Sequence, residues 1–365
     1  MNPNVAKPRG QSQHGPFAVQ FSDAFPGVLD QLGGTLALTT YQAGKIALVS
    51  PGRDGLVLLL RTFPGATGIA VRDQQLAVAS GNEIILFDNA RLLADGFPRS
   101  PGRFDALFLP YTRHLVGNVD VHDLALDADG RLLFVNTLCS CIATSDARNN
   151  FVSLWKPWFI SSEAPDDRCH LNGFATSTAG KPTFATIFAQ SNTAQGWRHA
   201  PVRSGALIDI DASDIVLDGL DQPHSPRLKG QSIYLLESGS GSLLQVDART
   251  GASDVVVRLP GFLRGLCIVK NHAFVGSSRL RDNSKKDADT GGASVFCVAL
   301  DTGSVIAELR FLRDCSEIYD LAFLPGVHRP NVLGPDDPLL GRVLRSPGFE
   351  GWAQAKDDEK TRRQE

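Results

Sequence analysis

The sequence predicts an all-β fold, a six-bladed β-propeller, on three observations. Six short segments share one template, a polar or aromatic residue followed by mostly apolar residues at +2 and +4. They begin at Thr67, His122, Asn172, His224, Arg264 and Tyr319 and recur every 40 to 55 residues, close to the period of a propeller blade. Each is followed by runs rich in Val, Ile and Leu with turn residues between them, the pattern of short antiparallel strands. The two ends of the pattern also complement each other. Strands at 35–62 have no such segment before them, and the segment at 319–323 has no outer strands after it. Pairing the N-terminal strands with this last inner strand closes the ring and removes the open edges of the sheet.

The elements follow in order. Residues 1–25 are polar and rich in Pro, Gly and Gln and read as a flexible N-terminal segment. The propeller spans 26–330. Residues 35–50 form a hairpin turning near Gln42–Gly44, and 56–62 form a further strand. The segment at Thr67 opens the first complete blade, with turns at Arg72–Gln74 and Gly81–Asn82. Blades then start at His122, Asn172, His224 and Arg264. Residues 92–118, 155–170, 190–204 and 278–292 read as long connections, which in compact domains often carry function. Residues 331–365 are a C-terminal extension whose last dozen residues are expected to be disordered.

Composition limits the function classes. The chain has 365 residues, 42% of them hydrophobic, and a net charge of -3 with Lys+Arg 36 against Asp+Glu 39. That supplies a large core and no basic stripe, so a nucleic-acid partner is not expected. No run of 18 apolar residues appears, and no membrane span is expected. The N-terminal stretch lacks an apolar leader, and six cysteines are too sparse for a disulfide scaffold. Reduced thiols in the cytoplasm are the expectation. Cys139 and Cys141 share a face if their strand is regular. No phosphate-cradling loop, dinucleotide fingerprint, nucleophile elbow or zinc-protease helix is present, so no nucleotide cofactor is expected.

The chemistry lies in the repeat positions. Residues i and i+2 of a strand share a face, so His170 can point with Asn172. His122, His170 and His224 then converge from three consecutive blades. Neutral imidazoles are common ligands of zinc or iron, and a divalent transition metal is one reading of this set. Hydrogen bonding that closes the axis, or direct ligand binding without metal, are the others. Asp123 and Asp320 sit beside repeat positions and are expected on the opposite strand face. Arg264 is costly if dry and unpaired. It either grips an anionic group through its fork or pairs with Glu317 or Asp320. Glu317 is a candidate proton-transfer residue or a salt-bridge partner. Tyr319 offers a hydroxyl to orient a substrate. Trp158 and Trp197, in aromatic loops, are candidates to grip the ligand, and Asn172, at its repeat position, is a further candidate to bind it.

Five stretches together carry a resemblance: F-V-N-T-L-C-S-C at 134–141, A-P-D-D-R-C-H-L-N-G at 164–173, P-H-S-P-R-L at 223–228, L-P-G-F-L-R-G-L at 259–266 and E-I-Y-D at 317–320. On these the sequence resembles an uncharacterised bacterial family of predicted β-propeller proteins, over roughly residues 25–330. The resemblance implies a compact bacterial domain and assigns no reaction. Taken together, the residues point to a metal-assisted enzyme acting on a small polar molecule or peptide side chain. The alternative is a non-enzymatic propeller that binds a ligand or peptide, or a scaffold for a protein partner.

Overall fold

A computed structural model of the chain describes residues 17–279 and 292–354. The expectations for residues 1–16, for the charged part of the 278–292 connection and for the chain end beyond 354 lie outside the described residues. Six sheets of at least four strands surround one axis. Their inner strands are Leu321–Pro325 (blade 1), Ala66–Arg72 (blade 2), Val121–Leu126 (blade 3), Leu171–Thr176 (blade 4), Pro223–Lys229 (blade 5) and Phe262–Val269 (blade 6). Each coincides with a predicted repeat segment. Blade 1 is made from both ends of the domain: Leu321–Pro325 pairs antiparallel with Gly34–Thr40, with Thr35 opposite Leu324 and Ala37 opposite Ala322. Lys45–Gly52 and Gly55–Thr62 complete it. The predicted closure is the one observed.

Burial on both faces of the middle strands holds the blades together. On Ser232–Glu237, Ile233 and Leu235 face blade 4, while Tyr234 and Leu236 face blade 6. Leu36 and Leu38 pack toward blade 6, and Ala37 toward blade 2. A strand covered on both sides loses the polar alternation of a half-exposed one. That is why these runs read as continuously apolar.

The chain ends depart from the sequence reading. Val19–Phe21 adds a fifth strand outside Ser304–Phe311 of blade 6, and helix Ala24–Leu32 buries Phe25 and Leu29 between blades 6 and 1. The stretch at 92–118, read as a connection, contains most of the helix Arg91–Asp95 and the fourth strand of blade 2, Ala106–Leu115. Pro110 within that strand masked it, since proline is tolerated only at a sheet edge. Pro330–Val332 then lies parallel along Ala106–Phe108. Both extensions also reach the outer strand of blade 1. Arg61 Nε donates to Val332 O at 2.9 Å, and the Phe21 ring lies against Gly55.

One axial layer shows why the inner strands can meet. The residues after the repeat positions are Gly68, Asp123, Gly173, Ser225, Gly265 and Asp320, so blades alternate between a side chain and none. Each side chain crosses to the glycine of the next blade and accepts a backbone N–H there. Asp320 Oδ2 accepts from Ile69, Asp123 Oδ2 from Phe174 and Ser225 Oγ from Gly265, all at 3.2 Å. A Cβ on Gly173 would sit 2.8 Å from Pro226 Cδ, and one on Gly265 2.8 Å from Asp320 Cα. Register shifts at this level in five inner strands (blades 2 to 6) are β-bulges, which re-aim side chains. Asp123, at such a bulge, and Asp320, just before the first residue of its strand, both turn to Arg227 at the axis, not to the opposite strand face as expected from a regular strand.

Arg227 of blade 5 closes the layer. Its guanidinium contacts Asp123 at 2.9 and 3.3 Å and Asp320 at 3.4 Å, and Nε donates to Leu266 O at 3.0 Å. Burial pulls the guanidinium pKa down, but the charges of Asp123 and Asp320 outweigh it and leave it raised. Burial likewise pushes the Asp320 carboxyl up, against the opposing pull of Arg227. Replacing Arg227 with Met strands two buried carboxylates, and a loss of about 3–5 kcal/mol is expected at neutral pH. The Asp320 carboxyl, already pushed up by burial and freed from the opposing pull of Arg227, would hold its proton more tightly in the folded than in the unfolded chain. The deficit, measured by urea unfolding, should therefore shrink as pH is lowered from 8 to 5; an equal deficit at both pH values would contradict the charge assignment.

Candidate functional site

The axial layer separates two recesses. The one beyond residues 69–72 and 124–126 has a volume of about 460 Å³ and is mostly apolar, with Arg72 and Arg227 among its lining. The other, at the starts of the inner strands, has a volume of about 440 Å³ and carries the chemistry. It is lined by Tyr41, Asp120, His122, His170, Phe188, Trp197, Arg198, Gln222, Phe262, Arg264, Ser278, Arg279, Glu317 and Tyr319.

Backbone geometry sets the histidines. Asp120 and Gln222 have φ of +55° and +51°, which turns each carbonyl back onto the imidazole two residues later. His122 Nδ1 lies 3.0 Å from Asp120 O, and His224 Nδ1 lies 2.8 Å from Gln222 O. A carbonyl only accepts, so Nδ1 carries the ring proton in both. The hydroxyls agree. Thr137 Oγ1 donates its one proton to Leu171 O at 2.8 Å and accepts from His122 Nδ1 at 2.9 Å. Ser238 Oγ donates to Leu263 O at 2.6 Å and accepts from His224 Nδ1 at 2.7 Å. Nε2 is therefore the acceptor face of each ring. His224 Nε2 is buried without a hydrogen-bond partner. Burial, then the neighbouring Arg264 and His170 charges, hold both imidazoles well below the ordinary histidine pKa.

His170 is differently placed. It occupies the turned position itself, φ +50°, so its register matches Asp120 and Gln222. Asn172 matches His122 and His224. His170 Nδ1 faces the Asp167 carboxylate at 3.1 and 3.2 Å, and Asp167 Oδ2 also accepts from Trp197 Nε1 at 2.7 Å. The imidazole lies against Trp197, at 4.2 Å between ring centres, and Phe188, at 4.4 Å, which also meet each other edge-on at 5.4 Å; it meets His122 edge-on at 4.8 Å. Phe188 stands between His170 and His224. Among the described residues no group of three or more His, Cys, Asp or Glu is placed to hold a metal ion.

Arg264 lies with its guanidinium carbon 4.5 Å from the centre of the Tyr319 ring and 5.7 Å from that of Phe262, a cation–π arrangement. Among the described residues it forms no salt bridge, and its Nε is buried without a partner. The expected pairing with Asp320 is excluded by geometry, because Arg227 takes that carboxylate. Glu317 and Tyr319 both line the pocket, and burial raises the phenol pKa of Tyr319. Trp197 lines the pocket, while Trp158 is 44% exposed and packs on Phe159 outside the lining. Asn172 is buried, not among the lining residues, with Nδ2 unpartnered.

Asp120, Asp167, Phe188 and Arg198 were not singled out from the sequence. Cys139 and Cys141 are buried, and Ser140 between them has φ +56°, so they do not share a regular strand. All six cysteines are free, and burial pushes the Cys141 and Cys169 thiols up to about 12.

Fold and pocket together define a six-bladed propeller with a polar and aromatic recess on its axis, an architecture suited to binding a ligand or a protein. The chain matches a domain of unknown function, DUF4915, over residues 23–333 and belongs to that family. No curated protein matches the sequence. Among solved structures, it is similar to a chain of a nidogen/laminin complex, with 11% identity and a TM-score of 0.52 over 80% of this chain and 99% of that one. A protein of unknown function from Bacteroides caccae gives 10% identity and a TM-score of 0.50 over 80% and 99%. TolB from Acinetobacter baumannii gives 12% and 0.47 over 82% and 67%. At these identities the likeness is one of fold. No helix among the described residues is long and apolar enough to cross a membrane.

The neutral histidines set a pH dependence. In the unfolded chain His122 and His224 take up protons below the ordinary histidine pKa of about 6.5; in the folded chain, with that pKa held well down, they do not. The unfolded state then binds more protons, so stability is fully present above that pH and falls below it. The slope is up to about 1.4 kcal/mol per pH unit for each histidine. Urea unfolding between pH 7.5 and 5.5 in EDTA should show this slope, and the His122→Asn/His224→Asn double variant should flatten it.

Proposed function

We propose that the pocket binds a small organic anion, a carboxylate with a flat or apolar body. Arg264 carries this reading. Its cation is held over Tyr319 at the recess, its Nε is buried and unpartnered, and among the described residues it forms no salt bridge. A guanidinium so placed gains most from a planar anion that fills its fork. Tyr319, Phe262, Phe188 and Trp197 supply the apolar wall, and a volume of about 440 Å³ suits a small molecule. Screening small carboxylates and their amides by thermal shift and calorimetry tests this. Carboxylates should bind in preference to amides, and Arg264→Met should weaken them at least about tenfold. A preference for neutral or cationic compounds, or affinity unchanged in Arg264→Met, would refute it.

A second reading is favoured by the ring tautomers. His122 presents an Nε2 lone pair beside His170, whose Nδ1 is held by Asp167 in the manner of many metal-ligating histidines. In that reading His122 and His170, with His224 as the further candidate, hold a zinc or iron ion that polarises the ligand, and Glu317 transfers a proton. Tag-free purified protein should then carry stoichiometric metal, and His122→Ala should lose it. Metal-free protein that binds carboxylates with full affinity would leave the anion reading alone.

A further inference from the structure

The recess on the far side of the axial layer shares no lining residue with the histidine pocket. Its described lining comes from all six blades, and its side chains are apolar apart from Thr176 and two arginines. Val71, Ala125, Leu228 and Ile268 line it and are only half-buried. Four blades therefore leave apolar surface in contact with water inside a concavity of about 460 Å³. Water gains little from such walls, and an apolar body that displaces it is favoured.

The two arginines differ in what they have left to offer. Arg227, at the floor, engages all five of its N–H groups, on Leu266 O, Pro226 O, both oxygens of Asp123 and Asp320 Oδ1. The floor therefore holds no guanidinium donor for a ligand. Arg72, on blade 2, reaches across blade 3 toward the turn that follows the inner strand of blade 4. Its Nη1 donates to Leu126 O and its Nη2 to Thr178 O, both at 3.4 Å. Each of these nitrogens has a second N–H without a described partner, and among the described residues Arg72 forms no salt bridge. The described lining contains no acidic side chain. An anion at this mouth meets an unneutralised guanidinium, and a carboxylate matches two N–H groups that point from one fork. An apolar tail attached to it runs over apolar walls to a floor whose cation is already matched. We propose that this recess binds a free aliphatic carboxylate, its head on Arg72 and its alkyl chain along the inner strands toward Arg227. The site is independent of the anion-binding reading of the histidine pocket.

Calorimetry with butyrate, hexanoate and octanoate, all below micelle-forming concentration, tests this. The controls are octanamide, which is neutral, and octylammonium, which carries the opposite charge. Each pair of added methylenes should tighten binding of the acid about tenfold. Octanoate should bind at least about tenfold more tightly than octanamide, and octylammonium more weakly than either. Arg72→Met keeps the apolar stem; it should bring octanoate down to the affinity of octanamide and leave octanamide unchanged. Ala125→Phe and Ile268→Trp narrow the recess and should weaken octanoate and octanamide together. Should either of these fail to fold, Arg72→Met, at the half-buried rim, still decides. Equal affinity for octanoate and octanamide, affinity that does not grow with chain length, or no binding of octanoate would each overturn the proposal. So would octanoate binding that survives Arg72→Met but is lost in Arg264→Met, a result that places the acids in the histidine pocket and leaves the anion-binding reading standing.

Discussion

The propeller depends on packing six inner strands around an axis too narrow for six side chains. The chain meets this constraint by alternation. Asp123, Ser225 and Asp320 occupy every other blade, and Gly68, Gly173 and Gly265 make room between them. The acidic pair would be untenable without a cation, and Arg227 supplies it from a third blade. The cluster joins blades 1, 3 and 5 directly, and the hydrogen bonds that Asp320, Asp123 and the neighbouring Ser225 accept from Ile69, Phe174 and Gly265 join blades 2, 4 and 6. Replacing such an ion cluster with well-packed apolar residues can be neutral for stability, whereas breaking it is not. Its distinctive contribution is geometric, since it fixes how far apart the strand starts stand and hence the width of the recess above it.

The recess is tied to the same framework by hydroxyls. Thr39, Thr137, Ser238 and Ser278 each donate across a blade boundary, to Thr67 O, Leu171 O, Leu263 O and Ile318 O. Two of these groups also orient a histidine. Blade docking and the protonation pattern of the pocket therefore share atoms, and neither can be altered by a substitution at Thr137 or Ser238 without disturbing the other. This is an economical way to preorganise a site, because the rings are positioned before any ligand arrives.

The repeat spacing made the blade number, the inner strands and the closure of 34–40 against 321–325 legible, because a strand buried on both faces leaves a conspicuous apolar run. The site was legible in part. His122, Arg264 and Tyr319 stood out as polar residues at apolar strand starts, and they do share a pocket. His170 lines it too, but from the turned position, because a left-handed residue resets the face on which a side chain emerges. A bulge hid the orientation of Asp123, and Asp320 lies one residue before its strand begins, so the period of two on which such readings rest applies to neither. Arg227, three residues beyond His224, could be recognised only once its two carboxylates were seen at one place. Asp167 and Phe188 lie in loop and strand-end positions whose convergence no local pattern records.

The two chain extensions lie on either side of blade 1, whose inner and second strands come from segments almost three hundred residues apart. Phe21 abuts its outer strand from one flank, and Val332 receives Arg61 from the other. A ring joined by a sheet seam has its weakest point where no covalent link runs between inner and second strand. Bracing that seam from outside means that release of Val19–Phe21 or Pro330–Val332 would loosen the circle as a whole, so these flanking segments act as guards of its circumference and not as appendages to it.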